Sequence, residues 1–133
     1  MILVDTSVWI GYLRGAQTTA IRTLDQMLAD EMPFALTGVI YQEILQGADS
    51  NESYARLVDY FGSQRFLHPV DNIETYALAA AIYMRCRRAG VTIRSTIDCL
   101  IAQIAIEHGA GLLHDDRDFV QMASVVSELE LVG

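Results

Sequence analysis

The stretch ILVDTSVWI, residues 2–10, decides how the rest of the chain reads. Ile2, Leu3 and Val4 make an apolar run that stops at Asp5. Thr6 and Ser7 follow, and then a second apolar stretch begins. This order predicts a buried strand over Ile2–Val4 and a helix from about Ser7 to Leu13, ending near Gly15. A carboxylate set between a buried strand and an apolar helix is itself partly buried. Unpaired, it is costly to hold there, or its pKa rises. Asp5 is therefore a marker of the fold and a candidate functional group at once.

The same strand-then-helix pattern recurs outward from this stretch. A helix over about Thr18–Ala29 carries Ile21, Leu24 and Leu28 on one face. Phe34–Leu36 is a second short strand, Thr37 is placed as the N-cap of the next helix, and Gly47 is its natural C-cap. Asn51 or Ser53 starts a helix through Tyr60, and Phe66–Leu67 is a third strand ahead of Pro69. Residues 71–89 form a long helix with Ile73, Ala77, Ala80 and Met84 as its inner face, closed by Gly90. Ser95 caps a helix that turns Leu100, Ile101, Ile104 and Ala105 inward and ends at Gly109. Leu112–Leu113 is a buried strand, Asp116–Met122 a short helix, and Val125–Val126 a last short strand. Strands alternating with helices imply an α/β fold on a mainly parallel sheet. In such sheets function gathers where strand carboxyl ends meet helix starts.

Size and composition bound the reading. The 133 residues fit one domain, 1–133. A chain of this length buries roughly two-thirds of its unfolded surface, enough for a core without disulfides. The start lacks the basic flank of a signal peptide, and apolar stretches such as IDCLIAQIAIEHG are too short and polar to span a bilayer. Cys86 and Cys99 lack metal-ligand spacing and read as free thiols, so the expected location is cytoplasmic. The net charge of −8 counts against nucleic acid as a partner. Yet all nine basic residues are arginine, and Arg85, Arg87, Arg88 and Arg94 fall within ten positions. Arginine offers bidentate recognition of phosphate, so these four and Arg117 are candidate RNA contacts, set against plain solvation of a charged helix end.

The acids carry the functional signal. Asp5 ends the first strand, Glu43 lies in the helix after the second, Asp98 sits in the first turn of the 95–108 helix, and Asp115, Asp116 and Asp118 follow the strand at Leu112–Leu113. Each has a bland explanation alone: Asp98 as a capping-box acid with Ser95, Asp115–Asp118 as a solvated turn and cap, Glu43 as a surface residue. Together they would repel one another at one edge, with no lysine to neutralise them and no arginine beside Asp5, Glu43 or Asp98 in sequence. A divalent cation is the simpler partner. Mg²⁺ fits an all-oxygen site, whereas zinc would call for His or Cys ligands. Such a site suits phosphodiester hydrolysis, because metal ions activate water and stabilise the leaving oxygen, with one ion or two. Nucleotide-cradling glycine motifs and the G-x-S-x-G nucleophile turn are absent. Of the three histidines, only His114 lies beside the acids.

Four blocks, ILVDTSVWI, YQEILQG, TIDCLIAQIA and LLHDDRDF, stand in an order and spacing that resembles the PIN-domain ribonucleases of the VapC toxin type, across residues 1 to about 130. The resemblance implies a three-layer α/β/α sandwich, dimer formation, Mg²⁺- or Mn²⁺-dependent RNA cleavage, and neutralisation by a cognate antitoxin. It implies metal binding by Asp5, Asp98 and Asp116, catalytic roles for these three and Glu43, and support from Asp118 and from the hydroxyls of Thr6 or Ser7. The chain departs from the family pattern at His114, where Thr or Ser is usual, which leaves the local geometry open. The apolar helices at 18–29 and 40–61 carry more hydrophobic positions than a small sheet needs, which points to homodimer or antitoxin contacts. Two other readings compete. One is a degenerate PIN-like module that binds RNA or protein without cutting. The other is a response-regulator-like phosphoacceptor, disfavoured because that chemistry uses a lysine.

Overall fold

Ile2–Val4 forms β1, with Leu3 and Val4 fully buried. A computed structural model describes residues 1–132 of the chain, so Gly133 lies outside the described residues. Asp5 leaves the strand in extended conformation and caps α1 (Thr6–Leu13), its side chain accepting from the Ser7 backbone N–H. Thr18 caps α2 (Thr19–Ala29) in the same way and leads to β2 (Phe34–Leu36). Thr37, fully buried, caps α3 (Gly38–Gln46). Ser50 and Ser53 form a reciprocal capping box at the start of α4 (Asn51–Gly62). A short β3 (Arg65–Phe66) is followed by α5 (Glu74–Arg88), α6 (Thr96–Glu107), β4 (Gly111–Leu113), α7 (Arg117–Val125) and β5 (Leu131–Val132).

The five strands form one parallel sheet in the order β3-β2-β1-β4-β5. From β1 the chain runs outward to β2 and β3, then crosses back over β1 to β4 and β5. Right-handed crossovers place α1–α4 on one face and α5–α7 on the other, which gives a three-layer α/β/α sandwich. Packing follows that division: α1 contacts α2 and α3, α3 contacts α4, and α5 contacts α6 and α7. The direction of winding reverses between β1 and β4, so the strand ends there splay their connections apart and leave a crevice.

The core sits on both faces of β1, β2 and β4. On the first face Trp9, 1% exposed, meets Phe61 edge-on at a centroid distance of 4.9 Å and Phe34 at 5.2 Å. Helices α5 and α6 each end in a glycine with positive φ, Gly90 at 79° and Gly109 at 61°. The bonds Val91 N–H to Cys86 O and Ala110 N–H to Ala105 O close both ends, an arrangement that side-chain-bearing residues resist.

Three expectations are corrected. The inner face of α5 is Thr75, Ala79, Ile82 and Cys86, not Ile73, Ala77, Ala80 and Met84, which are exposed. Two registers two residues apart are both helically periodic in this segment. Thr75 decides between them by donating its hydroxyl to the Glu107 carboxylate on α6 at 2.8 Å. Val125 and Val126 do not form the last strand: Val125 is the last residue of α7, and Val126, its C-cap, is buried like Phe119 and Met122 and gives its N–H to Met122 O. The edge strand is Leu131–Val132, paired with Leu112 and Leu113. The surplus of apolar positions expected on α2 is absorbed internally, since Ile21, Leu24 and Met27 are buried. Exposed large apolar residues lie instead on α4 (Tyr54, Tyr60), α5 (Tyr76, Met84) and α6 (Ile97).

Truncating Phe61 to alanine removes the ring that closes over Trp9. Urea unfolding should register a loss of about 3–5 kcal/mol, and a loss under about 1 kcal/mol would show that the aromatic cluster is not a main support of the fold.

Candidate metal centre

Asp5 lies where β1 ends and α1 begins, and its backbone N–H still bonds Leu113 O at 2.9 Å, extending the ladder to β4. The side chain is 5% exposed. Oδ2 accepts from the Ser7 hydroxyl at 2.6 Å and from the Ser7 N–H at 3.0 Å. Burial raises its pKa from the ordinary carboxylate value, the Ser7 bonds oppose that rise, and the charge of Asp116 adds to it. The Ser7 hydroxyl also accepts the Asp115 N–H at 3.0 Å, tying the end of β1 to the loop after β4.

Glu43 reaches the same edge from α3. The neighbouring Thr6 hydroxyl donates to its Oε1 at 2.8 Å, so the first helix orients the acid of the third. Thr6 and Ser7 thus each hold a different acid. Asp98, half-buried in the first turn of α6, is pushed up to about 7, first by burial and then by Asp5, Asp116, Asp118 and Glu43. Those four charges lie near enough to act on it, which places all five acids along one edge of the sheet. Ser95 occupies the N-cap position but makes no side-chain cap bond, so the capping-box explanation of Asp98 does not hold here.

Asp116 caps α7, its Oδ1 accepting the Asp118 N–H at 2.9 Å. Asp118 is 3% exposed, and its pKa is lowered chiefly by the hydrogen bond from Arg94. Arg94 Nε donates to Asp118 Oδ2 at 3.0 Å and Nη2 to Asp116 Oδ1 at 3.3 Å. An arginine therefore does meet two of the acids, Asp116 and Asp118, while none bonds Asp5, Glu43 or Asp98 among the described residues. His114 fills the position of the usual hydroxyl: its Nδ1 accepts the Asp116 N–H at 3.1 Å, and its ring lies against Phe119. Asp115 is drawn aside by the Thr18 hydroxyl at 2.6 Å.

Oxygen atoms of Asp98, Asp116 and Asp118 lie within 4.8 Å of one another. The donors are all carboxylate oxygens, which suits Mg²⁺ or Mn²⁺ and not a thiolate- or imidazole-seeking ion. Asp118, expected only in support, belongs to this tightest group. Of the other candidate arginines, Arg117 lies between Asp116 and Asp118 and its charge acts on Asp118, but no hydrogen bond joins it to the group among the described residues. Arg85 pairs with Glu128 at 2.9 Å, Arg87 lies 5.9 Å from the centre of the Tyr83 ring, and Arg88 and Arg117 are exposed. Among the described residues no helix is long and apolar enough to cross a membrane.

The family model described as "PIN domain" matches residues 2–125. The chain is 38% identical over 128 residues to VapC ribonuclease Mb1587 of Mycobacterium bovis and, to the same degree, to ribonuclease VapC11 of Mycobacterium tuberculosis. These alignments cover 96% of this chain and 95% of each relative. Among solved structures, VapBC2 from Rickettsia felis bound to a promoter DNA fragment superposes with a TM-score of 0.72 at 18% identity, covering 99% of this chain and 98% of that one. FitAB bound to a DNA fragment gives 0.72 at 21%, covering 99% and 94%.

Without metal, Asp98 keeps its proton in the folded chain up to about pH 7 but loses it in the unfolded chain near 3.8. Its contribution to stability is therefore full below the lower value and is lost as pH rises through the higher. The unfolding temperature of Asp98→Asn minus that of the wild type, measured in EDTA, should grow from pH 5 to pH 8. A difference that stays flat would mean Asp98 is not held protonated by its neighbours.

Proposed function

The chain belongs to the PIN-domain family, and on that premise we propose that it is a metal-dependent endoribonuclease acting as the toxin of a toxin–antitoxin pair. The observation that carries this reading is the meeting of Asp98, Asp116 and Asp118 oxygens within 4.8 Å, in the crevice that also holds Asp5 and Glu43. Asp5, Asp98 and Asp116 are the residues that would hold Mg²⁺ or Mn²⁺, with Asp118 beside them. A divalent cation bound there supplies activation of water and charge stabilisation on the phosphate.

The chain's own groups do the positioning. Ser7 keeps one oxygen of Asp5 engaged and leaves Oδ1 for a ligand. Thr6 holds Oε1 of Glu43, which leaves Oε2 to take a proton from water. His114 fixes the turn into Asp116, so the loop keeps its shape without the hydroxyl usual in the family. Exposed Arg87, Arg88 and Arg117 are the phosphate contacts we favour, since Arg85 is already paired with Glu128.

The partners in this reading are an RNA substrate, an antitoxin protein and a second copy of the chain, in the cytoplasm. The curated relatives are ribonucleases by name, and the R. felis structure is a VapBC assembly. In this reading residues 1–133 make up one PIN domain.

Asp5→Asn should lower Mg²⁺-dependent cleavage of structured RNA by about 10²-fold or more, with the circular dichroism spectrum unchanged. Full activity in that variant would remove Asp5 from the reaction, and cleavage by the wild type that persists in EDTA would remove the metal. Light scattering of the purified chain should report a dimer; a strict monomer that binds no product of the adjacent gene counts against both proposed protein partners.

A further inference from the structure

The crevice gathers five carboxylates, and among the described residues Arg94 is the one cation hydrogen-bonded to them. Its three contacts are unequal. The Arg94 backbone N–H and Nε both bond Asp118 Oδ2, at 3.2 and 3.0 Å, on a carboxylate that is 5% exposed. Nη2 reaches Asp116 Oδ1 at 3.3 Å, on a carboxylate that is 29% exposed. The backbone contact and the buried Ile93 beside it fix the base of the side chain. The Arg94 side chain itself is 62% exposed, with room to turn toward solvent. Among the described residues, no side chain donates a hydrogen bond to the Asp98 carboxylate.

We propose that Arg94 is a tethered counter-ion that competes with the divalent cation: its Nη2 arm on Asp116 Oδ1 sets a positive charge beside the ion's position and turns away when the ion enters, while the Asp118 contacts keep the arginine in place. This rests on the metal-centre reading above. A guanidinium and a divalent ion sharing Asp116 would face each other at short range in a partly desolvated crevice, where like charges repel strongly. The weaker and more exposed of the two carboxylate contacts is the one that yields. Arg94 thereby holds the acids together when no ion is present and sets a threshold on ion uptake.

The test measures Mn²⁺ binding by calorimetry and the unfolding temperature in EDTA for wild type, Arg94→Gln and Arg94→Lys. Removing a competitor should tighten Mn²⁺ binding by about threefold or more in Arg94→Gln, while its metal-free unfolding temperature falls. Arg94→Lys, a charge without the fork, should lie between. Binding that is unchanged or weaker in a folded Arg94→Gln overturns the proposal, because an arginine that merely orders its carboxylates would help the ion. If Arg94→Gln does not stay folded without metal, Arg94→Lys decides alone: tighter binding than wild type supports competition, and equal or weaker binding overturns it. A wild type that takes up no Mn²⁺ overturns this proposal together with the metal reading, whereas Mn²⁺ uptake indifferent to Arg94 overturns the competition only.

Discussion

Repulsion among carboxylates at the open edge of β1 and β4 is the constraint around which the molecule is arranged. Asp5, Glu43, Asp98 and the Asp116–Asp118 pair come from four different segments, and burial together with the charges of the other four acids brings the pKa of Asp98 to about 7. Held in a crevice with buried walls, such charges work against folding unless donors or cations are supplied. The devices that supply them account for most of the local structure around the site.

Those devices are short and specific. Ser7 gives Asp5 two hydrogen bonds and then accepts one from Asp115, so a single hydroxyl joins two strand ends. Thr6, next in line, faces the other way and holds Glu43. Asp116 caps α7 while His114 caps the amide of Asp116, and Arg94 comes from the loop before α6 to bridge the last two acids. Helix starts at α1, α6 and α7 turn their positive dipole ends toward this edge, which favours the anionic forms. The acids thus gain partial compensation and keep unfilled oxygen atoms, the state a hard cation requires.

Topology explains why the acids meet at all. The reversal of winding between β1 and β4 opens the only kind of gap in a parallel sheet where residues distant in sequence can share a cleft at the strand ends. The acidity of the whole chain then ceases to conflict with an RNA substrate. A good part of its net charge of −8 sits at this edge, and under the proposed function the exposed arginines at the end of α5 and the start of α7 would meet phosphate.

The chain's order of residues by itself determined the fold class and the main acids. An apolar triplet stopped by an aspartate, N-caps at Thr18 and Thr37, and glycines at 90 and 109 are local signals, and short-range sterics and hydrogen bonds read them the same way in any context. The tertiary structure alone decided which face of α5 is buried, because two faces about 200° apart are equally periodic, and packing of Ala79, Ile82 and Cys86 into the core with the Thr75–Glu107 bond tells them apart. It also decided that Val125 ends a helix and Val126 caps it, since burial of Phe119, Met122 and Val126 outweighs local β preference. Arg94 and Asp118 are 24 residues apart in sequence, and their pairing, like the promotion of Asp118 into the tightest acid group, comes from the docking of the α5–α6 loop against the start of α7. Local pattern fixes elements, whereas contacts between elements depend on how the sheet brings their ends together in space, and the chemistry of this site lies in those contacts.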